Sequence, residues 1–222
     1  STTMDAFEQV LNYEGLTREE VNEISKELIN VLVTNVKGNL LEIANSMWHH
    51  EELPVEQEFI NLNRNYYEAE VKALDFRTAS AVQTINDWVS ARTHGKIDEI
   101  IQSIDPAVMM ILINAIYFNA TWKYQFEPEE TFEDDFKLEG GGTHRCDFMQ
   151  VEGGFSYTSH NLFTAVELPY GDSAFSMVVL LPEPGVTTSD LVETLDAESW
   201  NSWFDNSYMT NVQIRLPKFK YG

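Results

Sequence analysis

Ala107-Val108-Met109-Met110-Ile111-Leu112-Ile113-Asn114-Ala115-Ile116-Tyr117-Phe118 is the stretch on which the reading of this chain turns. It is the longest apolar run in the sequence, and Asn114 is the only polar residue inside it. Asp105-Pro106 before it would suit the start of a helix, so periodicity alone leaves helix and strand open. The β-branched and aromatic content favours a strand, and apolar residues at successive positions predict burial on both faces. A lone amide there must find hydrogen-bond partners or cost about 1–3 kcal/mol. Asn114 is therefore either a satisfied structural amide or a polar latch that neighbouring strands engage and release.

Working outward, residues before this run carry helical spacing. Leu16, Val21, Ile24, Leu28, Val31 and Leu32 recur mostly by threes and fours over residues 16–36, and Thr17 with Glu20 forms a capping box. From Leu41 the period becomes two, with Leu41, Ile43, Asn45 and Met47 alternating with Glu42, Ala44, Ser46 and Trp48, which predicts a strand. Pro54 is expected to open a short helix to about Asn63, and Tyr66 to Phe76 to return to strand. Residues 79–93 give a clear helical stripe of Val82, Ile85, Trp88 and Val89, with Gly95 placed for a left-handed cap. After the central run, short strands are expected at 132–138, 144–150, 154–160, 163–168 and 174–181. Two short helices follow between Ser189 and Phe204, then a last strand from Thr210. Helices early and strands late define an α+β class.

Composition narrows the function. The 222 residues are 43% hydrophobic and 23% charged, an ordinary globular mixture. The net charge of −22, from 14 basic and 36 acidic residues, is shared evenly between the two halves. No basic region is left to hold a phosphate backbone, which argues against nucleic acid. The same sign argues against docking on anionic membranes, and no apolar run is long enough to span one. The first residues lack the basic start and apolar stretch of a signal peptide, so an export signal, if used, lies outside this sequence. The single cysteine, Cys146, excludes an internal disulfide and cysteine-rich zinc sites.

Few residues read as chemistry. Gly171-Asp172-Ser173 matches the nucleophile sequence of one protease class, but Ala174 and Phe175 follow where an oxyanion turn needs Gly, and a hairpin turn accounts for it. His49-His50-Glu51-Glu52 and His144-Arg145-Cys146-Asp147 hold ligand-type residues whose neighbours point to opposite strand faces. Glu127, Glu129, Glu130, Glu133, Asp134 and Asp135 lack the pattern of a calcium loop and read as a solvated surface. Asn119-Ala120-Thr121 is an N-glycosylation sequon, meaningful in a eukaryotic exported protein. No catalytic residue, metal site or cofactor site is expected.

A set of ordered motifs carries a family resemblance. Leu112-Ile113-Asn114-Ala115-Ile116-Tyr117-Phe118, then Trp122, Phe126, Pro128, Thr131 and Phe136, resemble the strand and turn typical of serpins. Ile85-Asn86-Asp87-Trp88-Val89 with Thr93-His94-Gly95-Lys96-Ile97 resembles the serpin helix lying across the main sheet. Glu167-Leu168-Pro169-Tyr170, Ser176-Met177 with Leu181-Pro182, and Leu216-Pro217-Lys218-Phe219 continue the match in family order. The segment at Cys146 and Asp147 departs from the pattern.

The resemblance implies a single serpin-like domain over 1–222 with a large central sheet, smaller sheets and surrounding helices. It implies further helices before Ser1, and after Gly222 another main-sheet strand, the reactive loop and two core strands. The implied function is inhibition of serine or cysteine proteases: a bait loop is cleaved and inserts into the main sheet, carrying the acyl-enzyme with it. A carrier, chaperone or storage role on the same fold is the alternative. Asn114, where the sheet parts, and Trp122, where the loop first enters, are the family-implied gate residues. The implied location is extracellular or secreted, with the cytoplasm as the alternative. Arg18, Lys26 and Lys37 alone in residues 17–40 do not make a heparin site. Strand 107–118 is expected to leave about twelve residues of apolar edge, to be paired by the rest of the polypeptide or by a second copy.

Overall fold

A computed structural model describes residues 3–34 and 39–220. The chain divides into two compact units, Ser1–Val36 with Leu40–Asn119, and Lys37–Asn39 with Ala120–Gly222.

In the first unit, α1 (Thr3–Val10) precedes α2 (Arg18–Thr34). The capping box forms as expected: the Glu20 carboxylate accepts from the Thr17 N–H at 2.7 Å and from its hydroxyl at 2.8 Å, and the Glu20 N–H donates to Thr17 Oγ1. These bonds hold the Glu20 carboxyl below its ordinary range. The chain then forms β1 (Asn39–His50), α3 (Gln57–Tyr67), β2 (Glu70–Leu74), α4 (Ala79–Arg92) and β3 (Met110–Ala120). The three strands lie in the order β2-β1-β3, and β1 runs parallel to β2 with Met47 opposite Val71. Because side chains alternate along a strand, Met47 and Trp48 leave β1 on opposite faces. Trp48 joins Phe76, Ile85, Val89 and Ile113 in the core that α4 completes. Met47 joins Ala69 and Val71 under α3, with Ile60 and Tyr67 against them.

Four local expectations are corrected. The helix α1 carries no strong start signal and was not expected. The helix after Pro54 begins three residues later and runs on through Tyr66 and Tyr67, residues whose pattern favours the following strand. It stops where Glu68 takes a left-handed φ of 51°, so β2 is confined to five residues. The strand read at 107–118 lies at Met110–Ala120 and is not buried on both faces. Ile113 and Ala115 are buried, whereas Leu112 is 69% and Ile116 59% exposed. Ile111 and Ile113 meet the α4 core; the even-numbered residues point the other way, where Leu112 borders an open cavity beside α1, α2 and α3 and Ile116 is exposed. Composition reports apolarity and not which face finds cover.

The second unit holds β4 (Phe132–Lys137), β5 (Thr143–Ser159), β6 (Phe163–Pro169), β7 (Ser176–Pro182), α5 (Thr188–Glu193), α6 (Ala197–Phe204) and β8 (Tyr208–Pro217). The strand order is β4-β5-β6-β7, with β8 paired antiparallel to β5 over Phe148–Tyr157. The two strands expected at 144–150 and 154–160 are one. Gly153 and Gly154 suggest a break, yet they pair with Val212 and Asn211 in an unbroken ladder. A Cβ on Gly153 would stand 3.4 Å from the Phe155 ring, an ordinary contact distance, so neither glycine marks a turn here. Phe155, Leu168, Val151, Ile214 and Leu216 form one core, and Phe163, Ala165, Leu191 and Trp203 a second against α5 and α6.

Candidate functional site

Asn114 sits on the exposed face of β3, and its amide is satisfied. Asn114 Nδ2 donates to Asn45 Oδ1 of β1 at 2.8 Å, and Asn45 Nδ2 donates to the Tyr67 carbonyl at the end of α3, also at 2.8 Å. Two amides therefore tie β3 to β1 and β1 to α3 on one side of the sheet. The expected buried setting of Asn114 is corrected here, but its need for a partner is met. Asn45 was overlooked as a site residue. Its signal was in the alternation of Leu41, Ile43, Asn45 and Met47, where it is the lone amide on an apolar face.

Further along β3, Asn119 is exposed and its Nδ2 donates to the Tyr117 hydroxyl at 3.1 Å. The Tyr117 ring meets His94 at 4.4 Å between centroids, and His94 Nε2 lies 2.5 Å from Glu42 Oε2. His94 follows α4 in a left-handed conformation, φ 52°, with Gly95 at φ 69° after it. The end of α4 is thereby fastened to β1 through Glu42 and rests on β3 through Tyr117.

Trp122 belongs to the second unit. It forms an antiparallel bridge with Tyr170, extended by Lys123 N–H to the Pro169 carbonyl and Gly171 N–H to the Thr121 carbonyl, each at 2.9 Å. The Trp122 and Tyr170 rings stack at 4.3 Å and 15°, and Phe126 closes on Trp122 edge-on at 6.1 Å. Burial pushes the Tyr170 phenol up. Trp122 and Phe126 pack against the Phe155 and Leu168 core, and Tyr170 joins them through its stack on Trp122.

Gly171-Asp172-Ser173 is the turn between β6 and β7. The Ser173 N–H donates to the Tyr170 carbonyl at 2.7 Å, φ is 74°, and its Oγ accepts from the Lys123 ammonium at 3.0 Å. His50 is buried at the end of β1; its Nδ1 accepts the Glu52 N–H, and its Nε2 stands 3.8 Å from Asp75. His144 and Cys146 share one face of β5, with Arg145 and Asp147 on the other. Among the described residues no three His, Cys, Asp or Glu side chains converge on a point where an ion could sit. The acidic run 127–135 is exposed at each of its six carboxylates, two of which face Arg145. Among the described residues, no helix is long and apolar enough to cross a membrane.

A three-stranded sheet with a helix across it, a polar tie between two of its strands, and a second β-rich unit define a serpin-type half-fold, and comparison agrees. The family profile described as Serpin (serine protease inhibitor) matches residues 1–222, and the chain belongs to the serpin family. Serpin A12 of Homo sapiens is 29% identical over 220 residues, covering 98% of this chain and 53% of its own length. Iris of Ixodes ricinus is 36% identical over 187 residues, covering 81% and 50%. The chain thus spans about half the length of the curated relatives it matches. Among solved structures, the thermophilic serpin tengpin in its native state matches with a TM-score of 0.90 at 30% identity, covering all of this chain and 56% of that one. Tengpin in its latent state matches at 0.89 with 30% identity, covering all of this chain and 60% of that one.

Proposed function

We propose that the protein is a serpin that inhibits serine or cysteine endopeptidases as a suicide substrate, by insertion of a cleaved loop into its main sheet. The observation that carries this reading is the position of β3. In the order β2-β1-β3, its outer edge has no strand partner among the described residues, and its inner side is tied to β1 through Asn114 and Asn45. An edge of eleven residues, Met110–Ala120, offers the main-chain donors and acceptors that an added strand requires. Asn114 is then a gate amide released as the sheet opens, and Trp122 a gate residue held by Tyr170 where the loop enters. The rest of the polypeptide or a second copy is the other occupant of that edge. The protein acts as an inhibitor rather than an enzyme, outside the cell, and without heparin. In a eukaryotic secretory host Asn119 is the glycan acceptor.

The test is incubation of the full-length protein with a panel of serine and cysteine proteases. A covalent complex that survives SDS, lost when the protease nucleophile is mutated, supports the reading. Clean cleavage without any complex across the panel overturns it in favour of a carrier, chaperone or storage role.

A further inference from the structure

We infer that Tyr67 is a positioning residue through which helix α2 sets the state of the gate amide Asn114. The inference rests on the gate reading of Asn114 and adds where that gate is controlled from.

Tyr67 is the last residue of α3, and the last carbonyls of a helix lack partners within it. The left-handed Glu68 turns the chain away, and the Ala69 N–H goes back to the Asn63 carbonyl. That leaves the Tyr67 carbonyl to Asn45 Nδ2. With its donor committed there, the Asn45 amide has one orientation, in which Oδ1 faces Asn114 Nδ2. A planar amide that loses the first bond is held in that orientation by the second alone.

The same tyrosine reaches the other way. Its hydroxyl donates to Asn22 Oδ1 on α2 at 2.8 Å. Its ring packs against Met47, Ala69 and Val71, so hydroxyl, ring and carbonyl move together. The preceding Tyr66 lies under the Lys26 ammonium at 5.6 Å, and the neighbouring Glu23 charge raises its phenol. Two consecutive tyrosines of α3 are therefore gripped by α2. Tyr67 also lines two cavities, of about 310 Å³ beside Asn45 and Asn114 and about 470 Å³ beside Asn22 and Arg18. The space on two sides lets the residue shift as a unit when α2 moves. A displacement of α2 at Asn22 then draws the Tyr67 carbonyl from Asn45, the Asn45 amide turns, and Asn114 is freed to face the outer edge of β3.

The experiment is hydrogen exchange of the full-length protein, read by mass spectrometry on peptides covering Met110–Ala120. Tyr67→Phe removes the hydroxyl alone and Asn22→Ala removes its acceptor. Each is expected to speed exchange across β3 about fivefold, the effect of losing one hydrogen bond. In an Asn114→Ala background, or Asn114→Ser if the alanine variant does not fold, Tyr67→Phe should add nothing. A purely structural role for Tyr67 would loosen α2 and α3 equally in both backgrounds. Additive effects, or unchanged exchange in β3, overturn the relay. Exchange needs no protease, so a relay that fails in an inhibitory protein, and a relay that holds in one forming no complex, are told apart.

Discussion

Trp122 and Tyr170 are joined twice, by an antiparallel backbone bridge and by rings stacked at 4.3 Å, so neither can move without the other. The bridge supplies direction and the stack supplies area. Removing the indole leaves Phe126 and Tyr170 facing a void. We expect Trp122→Ala to cost about 2–4 kcal/mol in urea unfolding of the full-length protein, and Trp122→Phe less than half of that. Equal losses for the two variants would show that the stack contributes nothing specific. On the gate reading, Trp122→Ala also raises the number of inhibitor molecules consumed per protease inactivated.

Gly95 tests the end of α4 without touching a side chain. Its φ is 69°, its N–H donates to the Ser90 carbonyl at 2.8 Å, and nothing lies within 4 Å of where a Cβ would stand. Any loss on substitution is therefore conformational. Gly95→Ala should destabilise by about 1 kcal/mol, and Gly95→Asn by less, since asparagine tolerates the left-handed region. A neutral Gly95→Ala would mean that the cap opens at no cost.

Acid should unfasten the helices of the second unit. Hydrogen bonds from Thr187 hold the Asp190 carboxyl below its ordinary range, and those from Ser199 do the same for Asp196. A depressed folded-state value means stability that is present above the unfolded carboxylate range and is lost as pH falls through the folded value. Asn at either position keeps an accepting oxygen but cannot titrate. Melting temperature followed from pH 6 to pH 3 should fall less steeply in Asp190→Asn/Asp196→Asn than in the parent. Parallel curves would refute the assignment.

Salt should stabilise. A net charge of −22 is spread over a surface where most carboxylates have no cationic neighbour within ion-pair distance among the described residues. Self-repulsion of this kind weakens as the screening length shrinks from about 10 Å at 0.1 M to about 3 Å at 1 M salt. We expect the melting temperature to rise by several degrees over that range in sodium chloride, roughly 1 kcal/mol or more for a chain of this size. A flat or falling curve would mean that the few ion pairs outweigh the repulsion.

Much of this architecture was legible from residue order. The capping box at Thr17 and Glu20, the stripe of Val82, Ile85 and Val89, and the strands from Phe132 onward reflect local chemistry acting over a few residues. What could not be read depended on distant partners. Leu112 and Ile116 are as apolar as Ile113, and only the placement of α4 decides which are covered. Gly153 and Gly154 look like a turn until β8 is present to pair with them. At the candidate site, Asn114 stood out because it was the sole amide in an apolar run. Asn45, the lone amide in the alternation from Leu41 to Met47, carried a weaker signal, and its partners, one 69 positions away and one the helix-end carbonyl of Tyr67, left no local mark.

The long strand β5 has a consequence for how the protein is made. Its first half pairs with β4 and its end with β6, both nearby in sequence, while the edge from Phe148 to Tyr157 waits for β8. On the ribosome, Phe148 emerges well before Pro217, an interval on the order of ten seconds at usual elongation rates. Throughout that interval Val151 and Phe155 border an unfinished ladder. The nascent chain therefore passes through an obligatory stage in which two hairpins are ready and their common seam is open. Synthesis speed across residues 160–207, as much as sequence, determines whether β8 or a neighbouring chain arrives first.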